Sequence, residues 1–139
     1  MITKLSHTTL FVTDQDKAYN FYVNTLGFIV KTDAKMQNGF RWLTVAAPEQ
    51  PDFEIALLSP LNEGMSYDEE TKNAFKILLD KNALGAGVLY TPDCHATYEE
   101  LKAKGVVFTS EPKEQFYGIE AVVTDSCGNW FSMTQPKER

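Results

Sequence analysis

His7-Thr8-Thr9-Leu10-Phe11-Val12-Thr13-Asp14, followed by Ala18-Tyr19-Asn20-Phe21-Tyr22 and Leu26-Gly27-Phe28, decides the fold of this chain. Residues 5–12 alternate and are rich in β-formers, the pattern of a strand with one buried face. Thr13-Asp14 offers a helix cap, and the apolar positions Ala18, Phe21, Tyr22 and Leu26 recur at helical spacing. Gly27 stops that helix, and Phe28-Ile29-Val30 opens a second strand. Gln37-Asn38-Gly39 is a hairpin signal, residues 40–46 return as a strand, and Pro48 and Pro51 break the chain before a strand at residues 53–58. The order is βαβββ.

A compressed copy of this order follows. Residues 87–91 read as a strand, Pro92-Asp93 starts a helix carrying Tyr98, Leu101 and Ala103, and Gly105 stops it before Val106-Val107-Phe108. Residues 119–124 and 129–134 close the repeat, joined by the turn Asp125-Ser126-Cys127-Gly128. Aligning Asp14 with Asp93 also aligns Leu26-Gly27-Phe28 with Lys104-Gly105-Val106, with one residue fewer in the second helix. The reading is therefore one α+β domain over residues 1–139: a first module over about 1–60, a connector over about 61–82 with a helical run at 68–79, and a second module over about 83–139. A module of that size buries its own core poorly, so the two must pack together.

Composition narrows the function classes. The net charge of −6 and the scattered 13 Lys and Arg disfavour a nucleic-acid partner or an anionic membrane surface. The first residues lack a long apolar run with a cleavage site, and no apolar stretch approaches the roughly 18 residues of a membrane span, so a cytoplasmic location is expected. Cys94 and Cys127 have no metal-knuckle spacing, and free thiols are expected.

Taken with Tyr117-Gly118 and Asp125-Ser126-Cys127-Gly128-Asn129, the opening segments make the chain resemble the vicinal oxygen chelate proteins, the group of glyoxalase I, extradiol dioxygenases, fosfomycin-resistance enzymes and bleomycin-binding proteins. The resemblance spans nearly the whole chain. It implies two βαβββ modules forming a curled, U-shaped mixed sheet with helices outside, a small-molecule ligand in the concavity, and a homodimer. It also implies a divalent metal held by one residue from each of four strands. Such a metal polarises a substrate oxygen while open positions accept the substrate.

Carried over residue by residue, the resemblance places two ligands and loses two. His7, seven before Asp14, matches the first ligand, and Glu54 matches the carboxylate or amide of the fourth strand. Ala86 stands seven before Asp93, and Ser132 stands where the last Glu is expected. Two donors fall short of the three protein ligands of a catalytic zinc site. No cofactor is thus the leading expectation, with zinc, nickel, manganese or iron as the alternative.

Aromatic side chains offer the other chemistry. Tyr90, Trp130 and Trp42 lie in strands and could stack a flat ligand, with Ala86 and Ser132 leaving room beside them. By alternation Tyr90 shares a face with Ala86, and Trp130 with Ser132. Phe116 and Tyr117 belong to a loop. Simpler roles are assigned to the rest: core packing for Tyr19, Phe21 and Tyr22, a cap or exposed role for His95, a structural thiol for Cys127, and a solvated helix start for Asp68-Glu69-Glu70. Glu54 could equally sit on a solvated strand face or form an ordinary hydrogen-bonded pair with His7.

The leading functional expectation is a protein of the bleomycin-binding kind that holds a small organic ligand without the full metal site. The alternative is a metal-dependent lyase, transferase or dioxygenase using His7 and Glu54. A metal-free enzyme with Tyr90 or His7 as acid or base is a third reading, though no base and nucleophile stand at a diagnostic spacing.

Overall fold

The computed structural model of the chain describes residues 1–138, so Arg139, the last residue assigned to the second module, lies outside the described residues. The first half runs β1 (His7–Phe11), α1 (Gln15–Tyr19), β2 (Ile29–Lys35), β3 (Arg41–Ala46) and β4 (Glu54–Leu58). The connector carries α2 (Glu69–Asp80). The second half runs β5 (Leu84–Tyr90), α3 (Cys94–Ala103), β6 (Phe108–Gln115), β7 (Gly118–Thr124) and β8 (Asn129–Pro136). Each half forms a four-stranded mixed sheet, in the orders β1-β4-β3-β2 and β5-β8-β7-β6. The first strand of each half is parallel to the last, and the remaining neighbours are antiparallel. This is an α+β fold of two βαβββ modules.

Asp14 and Asp93 cap the two module helices, their carboxylates accepting from backbone N–H groups of the first turn. Gly27 and Gly105 end them with φ of 80° and 89°, a conformation that only glycine adopts without steric cost. Gly27 stands thirteen positions after Asp14, and Gly105 twelve after Asp93. The first helix absorbs the extra residue by continuing from α1 into a π-helical stretch, Asn20–Thr25. Tyr22 lies in that stretch and meets Asp125 and Phe131 of the second module.

Tyr22 is buried, and its hydroxyl donates to Asp125 Oδ2 at 2.7 Å. Asp125, in the turn between β7 and β8, also accepts from Asn129 Nδ2 at 2.8 Å and from the backbone N–H groups of Cys127 and Asn129 at 2.7 and 3.0 Å. Asn129 Nδ2 donates a second bond, to the Phe11 carbonyl at 2.8 Å, and Thr13 N–H donates to the Cys127 carbonyl at 2.9 Å. The two modules are thereby stitched through one turn. Around it runs a shared core in which Leu10, Val12, Ala18, Phe21, Leu43, Val45 and Leu57 meet Cys94, Leu101, Ala121, Val123, Phe131 and Met133. The helix side of both sheets is thus buried, while the opposite sides bury Thr44, Ala56, Ser132 and Thr134 at their floor and carry the exposed side chains Val88, Tyr90 and Trp130.

The connector packs on β1 and on the turn between β7 and β8. Asp68 caps α2 by accepting from Thr71 N–H at 2.8 Å, and the Thr71 side chain together with that N–H holds its carboxyl below the usual range. Phe75 packs on Phe11 at 4.8 Å and on Tyr67 at 5.1 Å, while Leu79 is buried against Gly128, where any Cβ would collide with it.

Five expectations need correction. β5 runs from Leu84 to Tyr90 rather than over residues 87–91. The first strand starts at His7 rather than Leu5, and Val106 and Val107 precede β6 rather than opening it. β6 instead continues to Gln115 through Pro112, which an edge strand tolerates because no inner neighbour needs its missing N–H. β8 extends past Thr134 to Pro136. In β5 the register shifts between Gly85 and Gly87, so Ala86 is a bulged residue packed against the core and does not share a face with Tyr90.

Two stability tests follow. Tyr22→Phe removes a donor from a buried carboxylate and should cost about 1.5–3 kcal/mol in urea unfolding; a loss below about 0.5 kcal/mol would mean that Asp125 does not depend on it. Burial pushes the Cys127 thiol up to about 12, and burial beside Asp125 also raises the Tyr22 phenol. The folded chain then keeps protons that the unfolded chain releases above about pH 8.5 for a thiol and about 10 for a phenol. Stability should be full below that window and fall by about 1.4 kcal/mol per pH unit per group above it, and urea midpoints that stay flat from pH 7 to 11 would contradict this.

Candidate functional site

Strand alternation sends Leu10, Leu43 and Val45 to the helix side, which leaves His7 and Thr9, Trp42 and Thr44, and Glu54 and Ala56 on the opposite face of the first sheet. His7 and Glu54 are direct partners in the parallel β1–β4 ladder. Their side chains meet, His7 Nε2 lying 3.3 Å from Glu54 Oε2, while Ser6 Oγ lies 2.7 Å from His7 Nδ1. Thr44 Oγ1 donates to Glu54 Oε1 at 2.6 Å. Trp42 stands beside this group, its ring 6.1 Å from that of His7.

The second sheet repeats the device with different residues. Register across β7, β8 and β5 sets Glu120, Thr134 and Tyr90 in one row and Val122, Ser132 and Val88 in the next. Thr124 and Trp130 stand opposite Gly85 in a third. Glu120 accepts from the Tyr117 hydroxyl at 2.6 Å and, through a short bond, from Ser132, whose oxygen lies 2.7 Å from that of Thr134. The bond to Glu120 holds the Tyr117 phenol above its ordinary value. A Cβ on Gly85 would come within 2.8 Å of the Trp130 ring, so glycine there lets the indole lie across β5.

Ser132 and Thr134 are buried as the floor of this face, whereas Tyr90 is 75% exposed, Val88 60% and Trp130 40%. Within the single chain the candidate aromatics do not share one cavity. Tyr90 lines a space of about 610 Å³ with Phe28, Pro48, Val88 and Leu101. Trp130 lines one of about 520 Å³ with Thr109, Val122 and Thr124. Ala86 lines a cleft of about 390 Å³ between β1 and β5, and none of these spaces includes His7, Trp42, Glu54 or Ser132.

Metal chemistry can be judged from the donors. Among the described residues no group of three or more His, Cys, Asp or Glu side chains converges to hold an ion. His7 and Glu54 supply two donors, and both carboxylate oxygens of Glu54 already face a protein partner. Ala86 and Ser132 add no charged donor, and the Ser132 hydroxyl is directed to Glu120. The residues of this chain do not fit the four-ligand metal that the family resemblance implies.

Glu120, Thr44 and Thr134 escaped the sequence reading. Glu120 was detectable as the one charge in the apolar strand Gly118–Thr124, where Ile119, Ala121 and Val123 turn to the core and Glu120 must turn away. His95 is exposed on α3, and its neighbour Cys94 and the distant Cys127 are buried free thiols. Phe116 is exposed at the β6–β7 turn.

Comparison with known proteins agrees with this architecture. The model of the Glyoxalase/Bleomycin resistance protein/Dioxygenase superfamily matches residues 4–133. The chain is 39% identical to the uncharacterized protein YurT of Bacillus subtilis (strain 168), over 95% of this chain and 98% of that one. Among solved structures it is similar to UcmS2, with a TM-score of 0.86 and 43% identity over 96% of this chain and 98% of that one. It is also similar to TnmS3, an antibiotic binding protein from Streptomyces sp. CB03234, with a TM-score of 0.74 and 28% identity over 98% of both chains. On the extent of the family match and the two-module fold, the chain belongs to the Glyoxalase/Bleomycin resistance protein/Dioxygenase superfamily.

Proposed function

We propose that this protein binds a planar aromatic small molecule on the sheet faces opposite the helices, without a bound metal, as a cytoplasmic homodimer. The observation that carries the reading is the pairing of each face's carboxylate with strand hydroxyls, Glu54 with Thr44 and Glu120 with Ser132 and Tyr117, beside the aromatic side chains Trp42, Trp130 and Tyr90. Hydroxyl-bound carboxylates recognise donors, and exposed rings stack flat ligands. The description of TnmS3 as an antibiotic binding protein supports a small-molecule ligand. Leaving Val88, Tyr90 and Trp130 in water is unfavourable, which supports a second copy as the cover for this face. The connector, pinned on Phe11, packs at one end of β1.

A metal-dependent lyase, transferase or dioxygenase is the second reading, favoured by the His7–Glu54 contact alone. The two readings separate in titrations with a planar aromatic antibiotic such as doxorubicin. The binding reading expects Tyr90→Ala and Trp130→Ala each to weaken affinity at least ten-fold, and His7→Ala to change it less than three-fold. The reverse order of effects would favour the metal enzyme. Light scattering should give twice the chain mass, and a monomer in the presence of saturating ligand would remove the dimer from the proposal.

A further inference from the structure

The aromatic-binding reading leaves open which polar group of the ligand is recognised, and the second sheet supplies an answer that rests on that reading. Glu120, Thr134 and Tyr90 occupy one row across three neighbouring strands. At about 4.8 Å per strand, Glu120 and Tyr90 stand about 10 Å apart on the same face, a span that three fused rings bridge. Lys113, the cross-strand partner of Glu120 on the edge strand β6, ends the row.

The carboxylate is aimed and only partly used. Tyr117 donates to Oε1 and Ser132 to Oε2, so each oxygen is fixed by one hydroxyl. Ser132 is itself held by Thr134 on the same strand. An ionised carboxylate accepts about four hydrogen bonds, and two are filled by these hydroxyls. The side chain is half-buried, so its remaining lone pairs open on the face that carries Tyr90 rather than into the core. On the floor of the face the Ser132 hydroxyl donates to Glu120 and Thr134 donates to Ser132, so their protons are spent and the carboxylate is the charged acceptor of the row.

We propose that Glu120 is the specificity-determining residue of the site, accepting a hydrogen bond from an aromatic amine or phenol at the far end of a planar ligand whose other end stacks on Tyr90. Ser132 and Tyr117 are positioning residues, and an aromatic carboxylate in the same place is repelled. Glu54 differs from Glu120 in that one of its oxygens faces the His7 imidazole at 3.3 Å, whereas both partners of Glu120 are hydroxyls.

Three tricycles of one shape test this by fluorescence titration: 2-aminoanthracene, anthracene-2-carboxylate, and anthracene, which has no donor. Wild type should bind the amine at least ten-fold more tightly than the carboxylate, a difference of the size expected for one charge-assisted hydrogen bond. Glu120→Gln should erase that preference and leave anthracene affinity within two-fold. Ser132→Ala should weaken only the amine, because a loosened carboxylate still excludes the anion. Equal binding of all three by wild type and Glu120→Gln would overturn the role of Glu120 while leaving the aromatic site standing. Loss of all three in Glu120→Gln would overturn it in favour of a purely structural role. Failure of wild type to bind any tricycle would overturn the aromatic site and this inference together.

Discussion

A carboxylate buried at the junction of the two modules sets the terms for everything else. Asp125 is 2% exposed, and leaving such a charge without donors would cost several kcal/mol. Its donors are Tyr22 from the first module and three groups of its own turn, and Asn129 carries the linkage on to the carbonyl of Phe11 in β1. Sliding the modules past one another would take the Tyr22 donor from the buried charge and the Asn129 donor from the Phe11 carbonyl at once. Strand β1 and the turn into β8 are fixed together, and the rows of side chains on the faces opposite the helices inherit that fixed geometry.

Much of this was legible in the residues, because the informative signals are local. The caps Asp14 and Asp93 and the stop signals Gly27 and Gly105 recur in both modules, and a single missing residue between them disclosed the unequal helices. How the longer helix stores its extra residue was not legible, since a π-helical stretch has no composition of its own. The polar run around Pro112 resembles a loop and becomes an edge strand only because β7 offers it a partner. The site was read less completely. Alternation placed Trp130 with Ser132 correctly, but a bulge at Ala86 has no sequence mark beyond its flanking glycines, and it shifts the face of every residue before it.

The same comparison explains why Glu120 matters. Motif reasoning looks for a carboxylate at the position of Ser132, finds a hydroxyl, and counts a loss. Tertiary structure brings a carboxylate from the neighbouring strand to that hydroxyl, with Tyr117 fixing its other oxygen. The first sheet makes a parallel arrangement with Thr44 and Glu54. In the second sheet the acid is oriented by hydroxyl groups alone, and in the first by one hydroxyl and the His7 imidazole. Neither acid is gathered with a second carboxylate, and a hydroxyl-oriented acid is suited to accepting ligand donors rather than to gripping a cation.

Metal content of protein purified without chelators, followed by titration with zinc, nickel, manganese and iron(II), decides whether these carboxylates serve a ligand or a cation. Carboxylates held for a ligand should leave well under one metal per chain and no affinity tighter than about millimolar. One tightly held metal per chain, lost on His7→Ala, would contradict that expectation and return the lyase or dioxygenase reading to first place.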